Sequence, residues 1–133
     1  MREFHLQIVT PDGLIFDGNA EAILVRTDSG YVEIMSGHTD YFATLGIGRA
    51  KLTVGGKSRN ASCSGGFVSV KAGEVKLVSV TFEFSDEIDL ERAKRAKANA
   101  EEALKSENDD KAMLVLKAKL ARAINRINVA ELK

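Results

Sequence analysis

Cysteine, proline and tryptophan are almost missing from this sequence: its 133 residues hold one Cys, one Pro and no Trp. A lone Cys63 excludes disulfide frameworks and Cys-rich zinc centres within one chain, and it suits a reducing compartment. Neither sign of charge is in excess. Lys plus Arg number 19 and Asp plus Glu number 19, so the formal net charge is zero, a poor basis for gripping DNA or RNA over a whole surface. No apolar run approaches the roughly 20 residues that span a bilayer. The opening "MREFHLQIVTPDG" has neither the apolar core of a signal peptide nor the Arg/Ser-rich look of a transit peptide. The expectation is one domain, or a small domain with an appendage, in the cytosol or attached to a membrane through other proteins.

A second absence divides the chain. No Gly occurs after Gly73, and no aromatic residue after Phe84; from Ser85 onward Ala, Leu, Lys, Arg and Glu dominate. The boundary is therefore set at Phe84/Ser85, giving segments 1–84 and 85–133. The first segment reads as β. "FHLQIV" alternates, "TPDG" at Thr10 to Gly13 is a turn signal, and "AILVRT" is a second strand. "AKLTVGGKSRNASC" reads as a hairpin around Gly55-Gly56, and "GFVSVKAGEVKLVSV" as another around Ala72-Gly73. Short strands with regular turn signals point to a sandwich or barrel.

The second segment reads as an antiparallel helical hairpin, so the fold class is α+β: a β-sandwich, then two helices. Ser85 or Asp86 is the expected cap of the first helix, whose Ala93, Ala96, Ala100, Ala103 and Leu104 share a face. "SENDD" at Ser106 to Asp110 is the turn, and Met113, Leu116, Leu120, Ile124 and Ile127 form the stripe of the second helix. A seam rich in alanine permits close approach but buries little apolar area, so such a hairpin separates at modest cost.

Little in the chain reads as catalytic. "VGGKS" lacks the first glycine and the helix of a P-loop, and "GIGRAK" lacks the third glycine of a dinucleotide fingerprint; both read as strand and turn. His5, His38 and Cys63 are too dispersed to predict a metal site, and Glu101-Glu102 and Asp109-Asp110 read as solvated or capping carboxylates. The basic stretch is more informative. Lys119, Arg122 and Arg126 follow i, i+3, i+7 spacing on one helix face, which is either a solvated stripe or a surface for an anionic partner.

"IVTPDG", "GHTDYFATLGIG", "SGGFVSV", "IDLERAKRAKANAEE" and "RAINRINVAEL", in that order, resemble the epsilon-subunit family of bacterial F-type ATP synthases over the whole chain. One stretch departs. Where the family has Pro-Gly-His followed by Pro-Leu, this chain has Ser36-Gly37-His38-Thr39-Asp40-Tyr41, and loss of both prolines is expected to loosen that loop. The resemblance implies a non-catalytic central-stalk rotor subunit, peripheral on the cytoplasmic face of the bacterial membrane. Its sandwich would bind the gamma subunit and the membrane rotor ring, with Gly30, Tyr31, Glu33 and His38 in the ring-facing loops. Its hairpin, when extended, would meet the catalytic beta subunits and inhibit ATP hydrolysis.

The resemblance also implies a regulatory ATP site on the folded-down hairpin. Ile88, Asp89, Arg92 and Ala93 match its Ile/Leu-Asp-x-x-Arg-Ala motif, with Glu83 before it and Arg122 and Arg126 in the second helix. Asp89 can accept from an adenine amino group, Ile88 can pack on the ring, and the arginines can hold phosphates. No cofactor is required in this reading, and a need for magnesium is left open. The same residues also suit a plain helix start, since Asp89 favours the helix dipole and pairs with Arg92 at i, i+3. The alternative is accordingly a β-sandwich adaptor with a docking hairpin and no nucleotide binding.

Overall fold

Residues 2–132 are described by the computed structural model, which arranges ten strands in two five-stranded sheets followed by two helices. The strands are β1 (Phe4–Thr10), β2 (Gly13–Ala20), β3 (Ala22–Thr27), β4 (Gly30–Met35), β5 (Tyr41–Thr44), β6 (Gly48–Val54), β7 (Lys57–Ser64), β8 (Phe67–Lys71), β9 (Glu74–Val78) and β10 (Thr81–Phe84). One sheet runs β2-β1-β9-β8-β5 and the other β10-β7-β6-β3-β4. Every pairing is antiparallel except β1 with β9, which is parallel.

Alternation drives the layering. β1 buries Phe4, Leu6, Ile8 and Thr10 and turns His5, Gln7 and Val9 away from the core. Leu6, Ile8, Ile23, Val25, Ile34, Val68 and Leu77 are fully enclosed between the sheets. The two predicted hairpins form as two-residue loops whose central φ angles are both positive: 58° and 77° at Gly55-Gly56, and 50° and 81° at Ala72-Gly73. That geometry matches the strand twist. Gly66 is fixed for a different reason. Its φ is 93°, and a Cβ there would lie 1.9 Å from the Val78 carbonyl oxygen, so only glycine lets β8 start beside the end of β9.

Four strands escaped the sequence reading: β2, β4, β5 and β10. All four are sheet edges. Edge strands bury less of each residue, so their apolar alternation is weak; β2 leaves Leu14 59% exposed, and β5 leaves Phe42 64% exposed.

The helices are α1 (Leu90–Ser106) and α2 (Asp110–Ala130), joined by the predicted turn. The expected cap at Ser85 or Asp86 is corrected. Ser85–Glu87 closes a turn of 3₁₀ helix, in which the Phe84 N–H donates to Glu87 Oε1 at 3.2 Å. Ile88 is then extended, and Asp89 caps α1 by accepting from the Arg92 N–H at 3.1 Å. The stripe on α2 also needs correction. Ala123 and Val129 are the buried residues, whereas Ile124 is 38% exposed. α2 turns Asn125 and Arg126 toward β6, β7 and β10, and this places 124 on the outward side.

On the outer face of the first sheet, His5 sits between two carboxylates, with Nε2 2.6 Å from Asp17 Oδ1 and Nδ1 2.6 Å from Glu74 Oε2. The bond to Asp17, then that to Glu74, raises the His5 pKa, and the bond to His5, then that from Gln7, lowers that of Asp17. The His5 contribution to stability is complete below the ordinary histidine value of about 6.5 and fades as pH rises through its higher folded value. The Asp17 contribution is complete above about 3.9 and fades as pH falls through its lower folded value. The clamp is therefore strongest between about pH 4 and 6.5. In urea melts, the stability advantage of the unaltered chain over His5→Gln should hold steady from about pH 5 to 6.5 and shrink as the pH rises further. An advantage independent of pH would show that the imidazolium carries none of it.

Candidate functional site

The junction between sheet and hairpin is held by a small set of directional contacts. β10 delivers Glu83 and Phe84 to the sheet edge, and the 3₁₀ turn then carries the backbone across to α1. Arg59 stacks over the Phe84 ring at 3.7 Å and pairs with Asp86 at 3.2 Å, so one guanidinium holds both sides of the crossing. Against this crossing lies a cavity of about 420 Å³, lined by Glu83 from β10, by Glu87, Ile88 and Asp89 from the linker, by Arg92, Ala93 and Ala96 from α1, and by Arg126 from α2.

Six of the seven residues expected to hold ATP thus line one space: Glu83, Ile88, Asp89, Arg92, Ala93 and Arg126. Arg122 does not. It lines a second cavity of about 410 Å³ between the helices, with Lys119 and Arg126 from α2 and Asn99 and three alanines from α1. Ala96 and Arg126 border both spaces. The first carries three carboxylates against two guanidiniums, and the second carries three cations and no carboxylate.

Glu87 and Ala96 were not anticipated. Glu87 is drawn into the cavity by its bond to the Phe84 N–H, and Ala96 lies one helical turn beyond Ala93 on the same face. Asp89 spends Oδ1 on the cap and keeps its other oxygen for a donor in the cavity. Arg126 uses Nε to pair with Glu83 Oε1 at 2.6 Å, leaving its terminal nitrogens for an anion. Such a set can both accept from an amine and donate to an anion. Cys63 offers no nucleophile. It is buried in β7 beside Ser79, and burial pushes its thiol pKa up to about 11.

The residues expected to face the rotor ring lie apart from this site and do not form one loop. Gly30 to Met35 is the edge strand β4, with Tyr31 and Glu33 on its exposed side. His38 lies past the opposite end from Gly30. The reason is pairing. Each residue of β4 has a partner on β3, from Thr27↔Gly30 to Ala22↔Met35. The proline-free stretch after β4 is tied by the His38 N–H to the Met35 carbonyl at 3.2 Å, by the Ala72 N–H to Asp40 Oδ1 at 3.0 Å, and by an edge-on contact of His38 with Tyr41.

Two family models match the chain: the beta-sandwich domain of the ATP synthase Delta/Epsilon chain over residues 3–85, and its long alpha-helix domain over residues 86–131. The chain is 40% identical to the ATP synthase epsilon chain of Ruminococcus albus over 134 residues, with 100% of each covered. It is also 40% identical to that of Bacillus pumilus over 132 residues, with 98% of each covered. Among solved structures it resembles a chain of the Euglena gracilis mitochondrial ATP synthase, determined as OSCP/F1/c-ring, with a TM-score of 0.80 and 25% identity over 92% of this chain and 78% of that one. A chain of the Tetrahymena thermophila central stalk and c-ring shares the fold at a TM-score of 0.67 and 14% identity, with 97% of each covered.

Few bonds hold α2 to the sandwich. Asn125 Nδ2 donates to the Gly48 carbonyl and to Ser62 Oγ, both at 2.9 Å, and Arg126 reaches Glu83. None of the hairpin's buried residues, Ala93, Ala100, Ala123 and Val129, belongs to the sandwich core. Asn125→Ala should therefore destabilise the docked hairpin by about 1–2 kcal/mol, speeding hydrogen exchange in α2 roughly tenfold while leaving β1, β8 and β9 protected as before. Equal acceleration in the helices and those strands would show that the two parts open as one unit.

Proposed function

The chain belongs to the ATP synthase delta/epsilon family as an epsilon chain, and on that premise we propose that its hairpin is an ATP-sensitive brake on a rotary ATP synthase. In this reading the sandwich docks on the gamma subunit and the membrane rotor ring, as a non-catalytic part of the central stalk. β4, with Tyr31 and Glu33 outward, Gly30 at its start and His38 beyond its end, faces the ring. No helix among the described residues is long and apolar enough to cross a membrane, so attachment at the cytoplasmic face runs through these partners. The hairpin has a docked position and a released one. Released, α2 carries Lys119, Arg122 and Arg126 toward acidic loops of the catalytic beta subunits and restrains hydrolysis.

One observation carries the nucleotide part: the candidate cavity takes its walls from both sides of the docking contact. Glu83 comes from the sheet edge, Arg126 from α2, and Ile88, Asp89 and Arg92 from the crossing between them. A ligand that needs all of these walls binds only the docked state, and stabilises it by RT ln(1 + [L]/Kd), about 2.7 kcal/mol at a hundredfold excess over Kd. Against a dock held by Asn125 and one ion pair, that increment is large. ATP supplies binding energy here and no chemistry. Ile88 and Asp89 would take the base, and Arg92, Arg122 and Arg126 the phosphates.

A second reading rests on an equally specific observation. Asp89 already caps α1 and Arg126 already pairs with Glu83, so both have structural work without any nucleotide. That is the adaptor reading, and it predicts no response to ATP. Calorimetry on the whole chain separates the two. One ATP site per chain is expected, weakened roughly ten- to hundredfold by Arg92→Ala and by Arg126→Ala, with sharpening of the α2 amide resonances as ATP is added. Binding unaltered in both variants would refute this pocket, and absence of any binding heat would favour the adaptor.

A further inference from the structure

We infer that Arg26 is the anchor by which the outward face of β4 takes hold of an acidic segment of its partner; this rests on the reading of that face as the one turned to the rotor ring. Arg26 stands opposite Tyr31 on the β3–β4 ladder, with its guanidinium carbon 5.6 Å from the centre of the Tyr31 ring. The β3–β6 ladder ends at Leu24↔Lys51, and past that point the two side chains lie against the start of β6, where the Arg49 N–H donates to the Tyr31 hydroxyl at 3.2 Å. Gly48 makes room for them. Its φ is not left-handed, so the backbone makes no demand for glycine there. Yet a Cβ at 48 would stand 2.7 Å from both Cβ and Cδ of Arg26 and 3.1 Å from the Tyr31 hydroxyl oxygen. Only glycine lets both side chains keep these places.

What is seated in this way is a cation without a counter-ion. Among the described residues Arg26 makes no ion pair. The outward positions of β3, β4 and β6 carry three cations, Arg26, Arg49 and Lys51, against one carboxylate, Glu33. Tyr31 and Met35, each 49% exposed, add apolar surface beside them. Arg, Tyr and Met are the residue types that interface centres favour. Arg49 already donates to Asn60 Oδ1 at 3.0 Å, so Arg26 is the cation of this face best placed to answer an outside charge. A planar guanidinium laid against an aromatic ring has given up much of its freedom before binding, and it presents two parallel donors to a carboxylate. Glu33, two residues along β4 on the same face, repels a second acid there, so the partner's carboxylate is received at the Tyr31 end.

Arg26 and Tyr31 are exposed, so replacing either leaves the core as it is. The test is the affinity of the whole chain for the rotor ring purified in detergent. Arg26→Ala should weaken binding about tenfold or more, and Arg26→Lys should retain part of what is lost. Gly48→Ala should weaken it nearly as much as Arg26→Ala although the net charge is unchanged, and Tyr31→Ala serves the same purpose should Gly48→Ala fold poorly. Lys51→Ala, at the rim, should cost no more than about twofold. If Arg26→Ala binds as the unaltered chain does, or if Lys51→Ala costs as much, the anchor is overturned and the ring reading stands. An unaltered chain that ignores the ring overturns the ring reading. If that chain instead binds phosphatidylglycerol vesicles through Arg26, the assignment to a protein carboxylate falls as well.

Discussion

The short ion pair between Glu83 and Arg126 ties the hairpin to the sandwich at the point where the candidate cavity lies. It joins the last strand to the last helix, 43 residues apart, and its carboxylate and guanidinium are only partly exposed. Pairs so placed are weak in water and stronger where water is partly excluded. Beside it stands Asn125, with two bonds into β6 and β7. These few directional contacts matter because the helices bring mostly alanine to the interface. Alanine lets backbones approach closely but removes little area from water. Docking therefore depends on polar geometry, which can be made and unmade, and the candidate cavity opens at that same point.

Much of the fold was legible because strands and helices imprint different periods. β1 alternates through seven residues, and two hairpin turns announced themselves through Gly55-Gly56 and Gly73. What escaped was every sheet edge. An edge strand such as β2 carries Leu14, Ile15 and Phe16 in a row, opposite a register shift between Ile8 and Val9, and alternation disappears there. The helix start was misplaced for a related reason. Ser85, Asp86 and Asp89 are all good caps by type, and only the extended Ile88 shows where the helix begins. On α2 the sequence stripe favoured large residues, although the most enclosed positions are Ala123 and Val129.

The candidate site divides along similar lines. Motif residues close in sequence, Ile88 to Ala93, converge because a helix start places them together. The separation of Arg122 from that space follows from helix geometry combined with the depth at which α2 sits, and a sequence does not display the latter. Asn125 gave no signal at all, since its partners are Gly48 and Ser62, 77 and 63 residues away, and nothing local marks an asparagine as a tether.

The single parallel ladder has a consequence for how this chain is made. β1 lies inside its sheet only because β9 fills the place beside it, pairing His5 with Glu74 across 69 residues. A nascent chain emerging from the ribosome can form the β1–β2 hairpin at once, but that hairpin keeps an open flank until residue 78 is available. Contacts of such long separation slow folding and prolong the exposure of unpaired strand. The helical segment follows β9 in the chain, so the hairpin is synthesised only after the strands it rests on can close.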